Sequence, residues 1–383
     1  MALGYTHVEI AVVQTPKRTG EPCGDLVLQE RTAQSTTIVC CDGIGSGLKA
    51  NIAATMCATR IMELLRCGFS LRRAFAAAAE TMNRSRDPEL SYAAFALARI
   101  LNNGQATVLT YDMPPPVFVG KIQTIVLPQR TTTIETALVG ECHAHVEPGE
   151  GLLLVSDGIT QAGLGAGLAE GWTIDGVRHY VDRCIADRMP LHEIPRAVHR
   201  QALDHWKKPG DDCTAVLASC RQGNVLNILT GPPADPNKDL QVVKRFWRSE
   251  GRKVICGATT TLVVGRCMNL KPRVEQNATS VLAPPRYELP GVDLVTEGAV
   301  TLNQVFNVLD EDPGNFEEES GVTELHGLLR AADRVNIMVG RASNPANQDI
   351  GFRQRGILSR TTIVPLIAAK LRHDGKLVVI DYV

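Results

Sequence analysis

Four aspartates, each set at one end of a short apolar run, constrain this chain more than any other feature. They stand in Cys23-Gly24-Asp25, in Val39-Cys40-Cys41-Asp42-Gly43-Ile44-Gly45-Ser46-Gly47, in Leu152-Leu153-Leu154-Val155-Ser156-Asp157-Gly158 and in Gly210-Asp211-Asp212-Cys213-Thr214. A short apolar run bounded by a Gly turn reads as a β-strand, so each Asp sits at a strand tip. Carboxylates converging from separate strands repel one another unless a cation lies between them. Oxygen ligands with no partner His or Cys suit hard ions, Mg²⁺ or Mn²⁺, rather than Zn²⁺. The pattern points to a two-metal hydrolase.

A length of 383 residues is more than one ordinary domain needs, and suggests two. The formal net charge of -1 gives no electrostatic case for nucleic acid or an anionic membrane surface. With no long apolar stretch and no charged-then-apolar start, a cytoplasmic protein without a membrane span is expected. Eleven cysteines include no Cys-x-x-Cys spacing, and an odd count argues against a complete disulfide framework. They read as reduced, small core residues.

Periodicity separates the chain near residue 223. Before it, strands are expected over 7–13, 34–40, 95–101, 105–111, 117–119, 152–156 and 213–219, with helices over 48–65, 71–82 and within 173–205. On the first helix Ile52, Met56, Thr59, Ile61, Met62 and Leu65 recur near helical spacing. Two batches of strands with helices between them fit a sheet-on-sheet sandwich flanked by helices. After residue 223 a strand, a Gly turn and a helix repeat. Strands over 225–229, 253–256, 292–295, 334–339 and 376–380 imply a parallel α/β sheet. One helix there carries Leu240, Val243, Phe246 and Trp247 on one face, another Leu302, Val305, Phe306 and Leu309. Residues 312–320 read as an exposed acidic loop.

Taken in order, Gly-Asp, Asp-Gly-x-Gly-x-Gly, Ser-Asp-Gly and Gly-Asp-Asp-x-Thr resemble the metal-dependent (type 2C) protein phosphatases, in particular the bacterial SpoIIE-like branch. The hairpin Ser91 to Ile100 with its Asn102-Asn103-Gly104 turn is similar to that family's central hairpin. Tyr111-Asp112-Met113-Pro114-Pro115-Pro116 stands where the family has a Gly-His-Pro-Pro-like turn, here without the His. The resemblance covers about residues 5–222. It implies an α-β-β-α sandwich over 1–222; the α/β domain of parallel-sheet type over 223–383 rests on the periodicity alone.

What the resemblance implies for the site is specific. Asp42 matches the acid that bridges two metals, and the carbonyl of Gly43 completes one metal's shell. Asp25, Asp157 and Asp211 match the remaining metal acids, for two Mn²⁺ or Mg²⁺ ions in all. A hydroxide held between the ions attacks phosphorus in line, with Asp42, Asp157 and Asp211 as the catalytic acids. Asp212 either binds through water or supports the turn, and Thr214 orients Asp211 or the turn. Gly45 to Leu65 matches a helix that controls the metal site.

The implied activity is hydrolysis of phosphoserine or phosphothreonine on a protein partner, in a partner-switching pathway whose substrates are anti-sigma-factor-antagonist-like proteins. Two alternatives stay open: a catalytically weak sensor or scaffold keeping the fold, and hydrolysis of a small phosphate ester. His143 and His145 alternate on one strand face and read as surface residues. For residues 223–383 the strand ends carry Thr230-Gly231, Gly257-Ala258-Thr259-Thr260, Thr296-Glu297-Gly298 and Gly340-Arg341. They suit either a small anionic ligand or ordinary helix starts in a homodimerisation or docking module.

Overall fold

The strand that ends in Asp42 explains how the first half of the chain is layered. β3 (Ser35–Gly43) is buried at all nine positions. Ile38 and Cys40 belong to one core, while Val39 and Cys41 belong to another. Alternate residues of a strand face opposite ways, so a strand buried throughout must have packing partners on both sides. The structure, a computed structural model, describes residues 4–84, 92–134, 137–207, 210–274, 287–316, 320–342 and 356–383. Its chain divides into two compact units, Met1–Gln222 and Gly223–Val383.

In the first unit β1 (Thr6–Thr15), β2 (Asp25–Arg31), β3, β4 (Ala93–Leu101), β5 (Gln105–Tyr111), β6 (Val117–Val119), β7 (Thr124–Val126), β8 (Arg130–Ile134), β9 (Ala137–His145), β10 (Gly151–Val155) and β11 (Cys213–Gln222) form two antiparallel sheets. Their orders are β1-β11-β10-β6-β7 and β2-β3-β4-β5-β9-β8. Between the sheets lie Val8, Ile38, Cys40, Ala94, Ala96, Val108, Leu152, Leu154 and Val216. The outer face of the six-stranded sheet is covered by α1 (Leu48–Arg66) and α2 (Leu71–Arg84). That of the five-stranded sheet is covered by α3 (Asp157–Thr160), α4 (Thr173–Ala186) and α5 (Ile194–Trp206). The result is the α-β-β-α sandwich. Ser91, at the start of the expected hairpin, lies outside the described residues.

The helix expected over 48–65 forms as α1; of the residues expected on its apolar face Ile61 and Met62 are buried, but Ile52 and Met56 are not. Ala50, Ala53, Ala54, Cys57, Ala58, Ile61 and Met62 are buried, whereas Ile52 and Met56 are 48% and 67% exposed. Small side chains let the helix approach the sheet closely: a β-carbon built on Gly43 would lie 2.0 Å from the carbonyl oxygen of Ala50. In its first turns the buried positions are all small, and Ile52 and Met56 lie outside; Ile61 and Met62 are buried further along.

In the second unit the strands are β12 (Val225–Thr230), β13 (Arg252–Cys256), β14 (Arg273–Val274), β15 (Tyr287–Glu288), β16 (Leu294–Thr296), β17 (Arg334–Val339) and β18 (Leu377–Tyr382). The sheet runs β14-β15-β16-β13-β12-β17-β18, with the five strands from β16 to β18 parallel. Sequence order reverses between β12 and β17, as in doubly wound sheets. α6 (Asp239–Arg248) and α7 (Ala258–Met268) pack on one face with Leu229, Ile255 and Val295. α8 (Ala299–Val308), α9 (Gly321–Ala331) and α10 (Arg360–His373) pack on the other. On α6 the buried residues are Asp239, Val242, Val243 and Phe246; Leu240, expected on that face, lies to the side of it and is 46% exposed. Of the expected acidic loop, 317–319 lie outside the described residues. Among the described residues no helix is long and apolar enough to cross a membrane.

Candidate metal centre

β2 pairs with β3 in antiparallel register so that Asp25 stands directly opposite Asp42. Facing residues of an antiparallel pair have β-carbons roughly 4.5–5.5 Å apart, so two carboxylates meet side by side. Both are buried, Asp25 to 3% and Asp42 to 9% exposure. The turns that follow keep them there. Gly43 donates its N–H to the Gly24 carbonyl at 3.1 Å, and only a residue without a β-carbon leaves room for the first turn of α1 against it.

The other acids arrive from the second sheet. Asp157 opens α3 directly after β10, and its Oδ2 accepts from Gln161 Nε2 at 2.9 Å. Asp211 and Asp212 lie just before β11. Ser156 and Thr214 lock the two segments together: the Ser156 N–H donates to the Thr214 carbonyl at 3.0 Å, and the Thr214 N–H to Ser156 Oγ at 2.9 Å. A β-carbon on Gly158 would lie 2.0 Å from the Asp212 carbonyl oxygen, so this glycine permits the close approach of Asp157 to the Asp211 turn.

Bonds between segments distant in sequence complete the site. Gln14 Nε2 donates to Thr214 Oγ1 at 3.0 Å, and Thr214 Oγ1 donates to Asp25 Oδ2 at 2.5 Å. Thr214 therefore orients Asp25, where sequence reasoning assigned it to Asp211 or the turn. The Lys17 N–H donates to Asp212 Oδ1 at 2.7 Å, while Lys17 Nζ lies 3.7 Å from Asp211. Gln14, Lys17 and Ser156 carry no local signal of this role. Their partners are distant in sequence, and only the pairing of β1 with β11 and of β10 with β11 brings them together.

Electrostatics in the cluster follow from burial and crowding. Burial pushes the Asp25 carboxyl up to about 7, against the opposing pull of the Thr214 and Ser156 hydroxyls, with the nearby Asp212 and Asp157 charges adding to the rise. Asp42 is held well above the ordinary carboxylate range, first by burial and then by the Asp25 and Asp157 charges. Asp211 is raised by burial and by Asp157, with Lys17 opposing. Cys23 beside them is pushed up to about 12, chiefly by burial and then by Asp25, which keeps it a thiol.

The residues present fit a hard cation. The donors are carboxylate oxygens, and Asp25 Oδ1 and Asp212 Oδ2 are buried without a hydrogen-bond partner; such orphaned acceptors cost free energy unless something electropositive meets them. Among the described residues, no three acid, imidazole or thiol groups are placed so that they could hold a metal ion as they stand. The acids are brought to one place from separate segments, without forming a closed cage.

Other singled-out residues are placed elsewhere. His143 is exposed on β9, beside Glu141 at 3.1 Å and Thr107 at 3.2 Å. Met113, in the turn that lacks the family His, packs into the core between the sheets. In the second unit the groups at the strand ends are bonded internally. The Gly231 N–H donates to Thr260 Oγ1 at 2.9 Å, Glu297 Oε2 accepts from the Val300 N–H at 3.0 Å, and Arg341 stacks on Tyr382 at 4.9 Å.

Residues 32–221 match the family described as Stage II sporulation protein E (SpoIIE). Among solved structures the chain is similar to the RsbU and RsbW domains of Rv1364c from Mycobacterium tuberculosis, at 16% identity over 63% of this chain and 68% of that one, with a TM-score of 0.48. It is similar to the PP2C phosphatase domain and regulatory fragment of SpoIIE from Bacillus subtilis, at 16% identity over 57% of this chain and 63% of that one, TM-score 0.48. It is also similar to RsbX in complex with magnesium, at 15% identity over 56% of this chain and 99% of that one, TM-score 0.42. No curated protein matches the chain.

Proposed function

We propose that this chain, whose residues 32–221 are a phosphatase domain of the SpoIIE family, hydrolyses phosphoserine or phosphothreonine on a protein partner with the help of Mn²⁺ or Mg²⁺. The observation that carries the reading is the facing pair Asp25 and Asp42, buried, with one Asp25 oxygen unbonded. Asp25, Asp42, the Gly43 carbonyl, Asp157 and Asp211 would hold two ions. Divalent ions so bound supply Lewis acidity and bring the pKa of water towards neutrality.

The chain's own residues set up that chemistry. Thr214, itself held by Gln14, fixes the rotamer of Asp25. Asp212 accepts the Lys17 N–H and thereby anchors the segment after β1 at the edge of the site. Its Oδ1 is thus positional, while its Oδ2 has no hydrogen-bond partner. Lys17 places a positive charge where an anionic substrate would arrive. No cysteine is needed as a nucleophile: Cys23, the thiol beside the acids, is held protonated. A phosphorylated anti-sigma-factor-antagonist-like protein is the partner class the reading favours.

Phosphate release from a phosphoserine protein tests the reading. Activity should require Mn²⁺ or Mg²⁺, and Asp42→Asn should lower it at least about a hundredfold while the fold survives. Turnover in excess chelator, or in Asp42→Asn at the parent rate, would overturn it. A catalytically weak scaffold is the second reading, favoured by Lys17 lying against Asp211. It would show metal binding with no measurable release.

A further inference from the structure

We propose that the second unit binds a nucleotide in a groove on the face of its parallel sheet, between α6 and the strands β17 and β18. The groove is open to solvent and offers about 710 Å³, within the range of sites for single small ligands. Its floor is set by strand register. Asn227 on β12 aligns with Asn336 on β17 and Val379 on β18, and Met338 aligns with Asp381. Met338 and Val379 give this floor an apolar patch. Lys244, Arg245 and Arg248, all exposed on α6, form one wall, and Arg334 lies at the end of the floor.

Two features mark the groove as built for an anion. The first is charge: the residues lining the groove include four cations, Lys244, Arg245, Arg248 and Arg334, and one carboxylate, Asp381, which Arg245 holds at 2.5 Å. The second is a row of amides where a parallel strand ordinarily carries Val, Ile or Leu. Asn227 is 2% exposed. Its Nδ2 donates to the Glu250 and Arg252 carbonyls at 2.8 and 3.3 Å, and its Oδ1 accepts from Asn336 Nδ2 at 2.9 Å. Asn336 Oδ1 in turn accepts from Arg334 Nε at 2.9 Å. Burying polar side chains is costly unless they are bonded. Here the whole row is bonded, and its outcome is to fix one guanidinium at the groove.

An apolar floor beside four cationic side chains, one of them fixed by the amide row, suits a ligand with a flat apolar body and more than one negative charge, since guanidinium groups pair phosphate oxygens two at a time. A nucleoside phosphate has both parts. An acidic peptide would instead find unpaired backbone groups along β18, the edge strand. The groove is on the sheet face and walled by a helix, which favours a compact ligand.

The test uses the full chain with a chelator present, so that the acids of the first unit cannot hold phosphate through a metal. ATP, GTP, adenosine, pyrophosphate and a poly-glutamate peptide are titrated by calorimetry. ATP or GTP should bind saturably, and adenosine and pyrophosphate at least about tenfold more weakly. Arg248→Ala and Arg334→Gln should each weaken the nucleotide about tenfold, as loss of a charged hydrogen bond does, while Asp42→Asn leaves binding unchanged. Lys244→Ala, at an exposed helix position, is the variant least exposed to misfolding and should weaken it too. Absence of nucleotide binding, equal binding by the Arg and Lys variants, pyrophosphate binding as tight as nucleotide, or binding of the acidic peptide alone would each overturn the proposal.

Discussion

In the first unit Asp25 is buried with one oxygen unbonded, facing Asp42 across a strand pair. In the second unit Glu297, also at the end of a strand and beside a glycine, has Oε2 on the Val300 N–H at the start of α8. The two carboxylates look alike in sequence. One is left short of partners among other acids, and the other caps a helix. Asp239 in the second unit likewise has an unbonded buried oxygen, but Arg266 lies 2.7 Å from its other oxygen and compensates the charge. Uncompensated buried charge, not the presence of Asp or Glu beside Gly, separates a metal centre from ordinary turn chemistry.

Breaking the close packing around the acids should have the largest effect on stability. Gly43→Ala would place a β-carbon 2.0 Å from the Ala50 carbonyl. It should cost about 1–3 kcal/mol, as overpacking does, and should weaken metal binding as well, measured by denaturant unfolding and metal titration. Unchanged stability would show that α1 is not held by this contact.

pH sharpens the contrast further. Asp25 titrates near 7 when folded, and near its ordinary value of 3.8 when unfolded. Asp42 and Asp211 are shifted the same way. Across that window the folded protein holds more protons than the unfolded chain, so its stability falls as pH rises. Metal-free protein should therefore melt at a lower temperature at pH 8 than at pH 5, and Mg²⁺ or Mn²⁺ should restore the loss at pH 8. A melting temperature that rises with pH in the absence of metal would contradict the picture of crowded, partly protonated acids.

In the second unit the effects should be smaller and confined to stability. Glu297→Ala removes a helix cap and should cost about 1 kcal/mol with no change in phosphatase rate. Back in the first unit, Met56→Ser on the exposed face of α1 should shift stability by no more than about 0.5 kcal/mol. If it instead changes the metal concentration needed for half activity, the exposed face of α1 takes part in control of the site.

Much of the candidate site was legible because the acids that the fold brings together lie in local turn motifs. Asp25, Asp42, Asp157 and Asp211 each carry a glycine beside them, and local pattern is what a sequence displays most openly. The facing of Asp25 and Asp42 is a matter of strand register, and the role of Gln14 depends on a partner 200 positions away; neither has a local signature. The buried face of α1 was read only in part, for a related reason. Ile61 and Met62 are buried as expected, but in the first turns the close approach to the sheet selects Ala50, Ala54, Cys57 and Ala58 over Ile52 and Met56. In the second unit the parallel sheet could be read from repeated strand, turn and helix, whereas the Asn227–Asn336–Arg334 row requires β12 and β17 to be neighbours, which the chain order hides.

The central claim is that the acids of the first unit are a divalent metal site. Calorimetric titration of the metal-free full chain with Mn²⁺ at neutral pH tests it most directly. Saturable binding of about two ions per chain, with release of protons from the raised carboxyls and loss of at least one ion in Asp42→Asn, is the predicted result. No saturable binding, or the same binding in the parent and in Asp42→Asn, would contradict it.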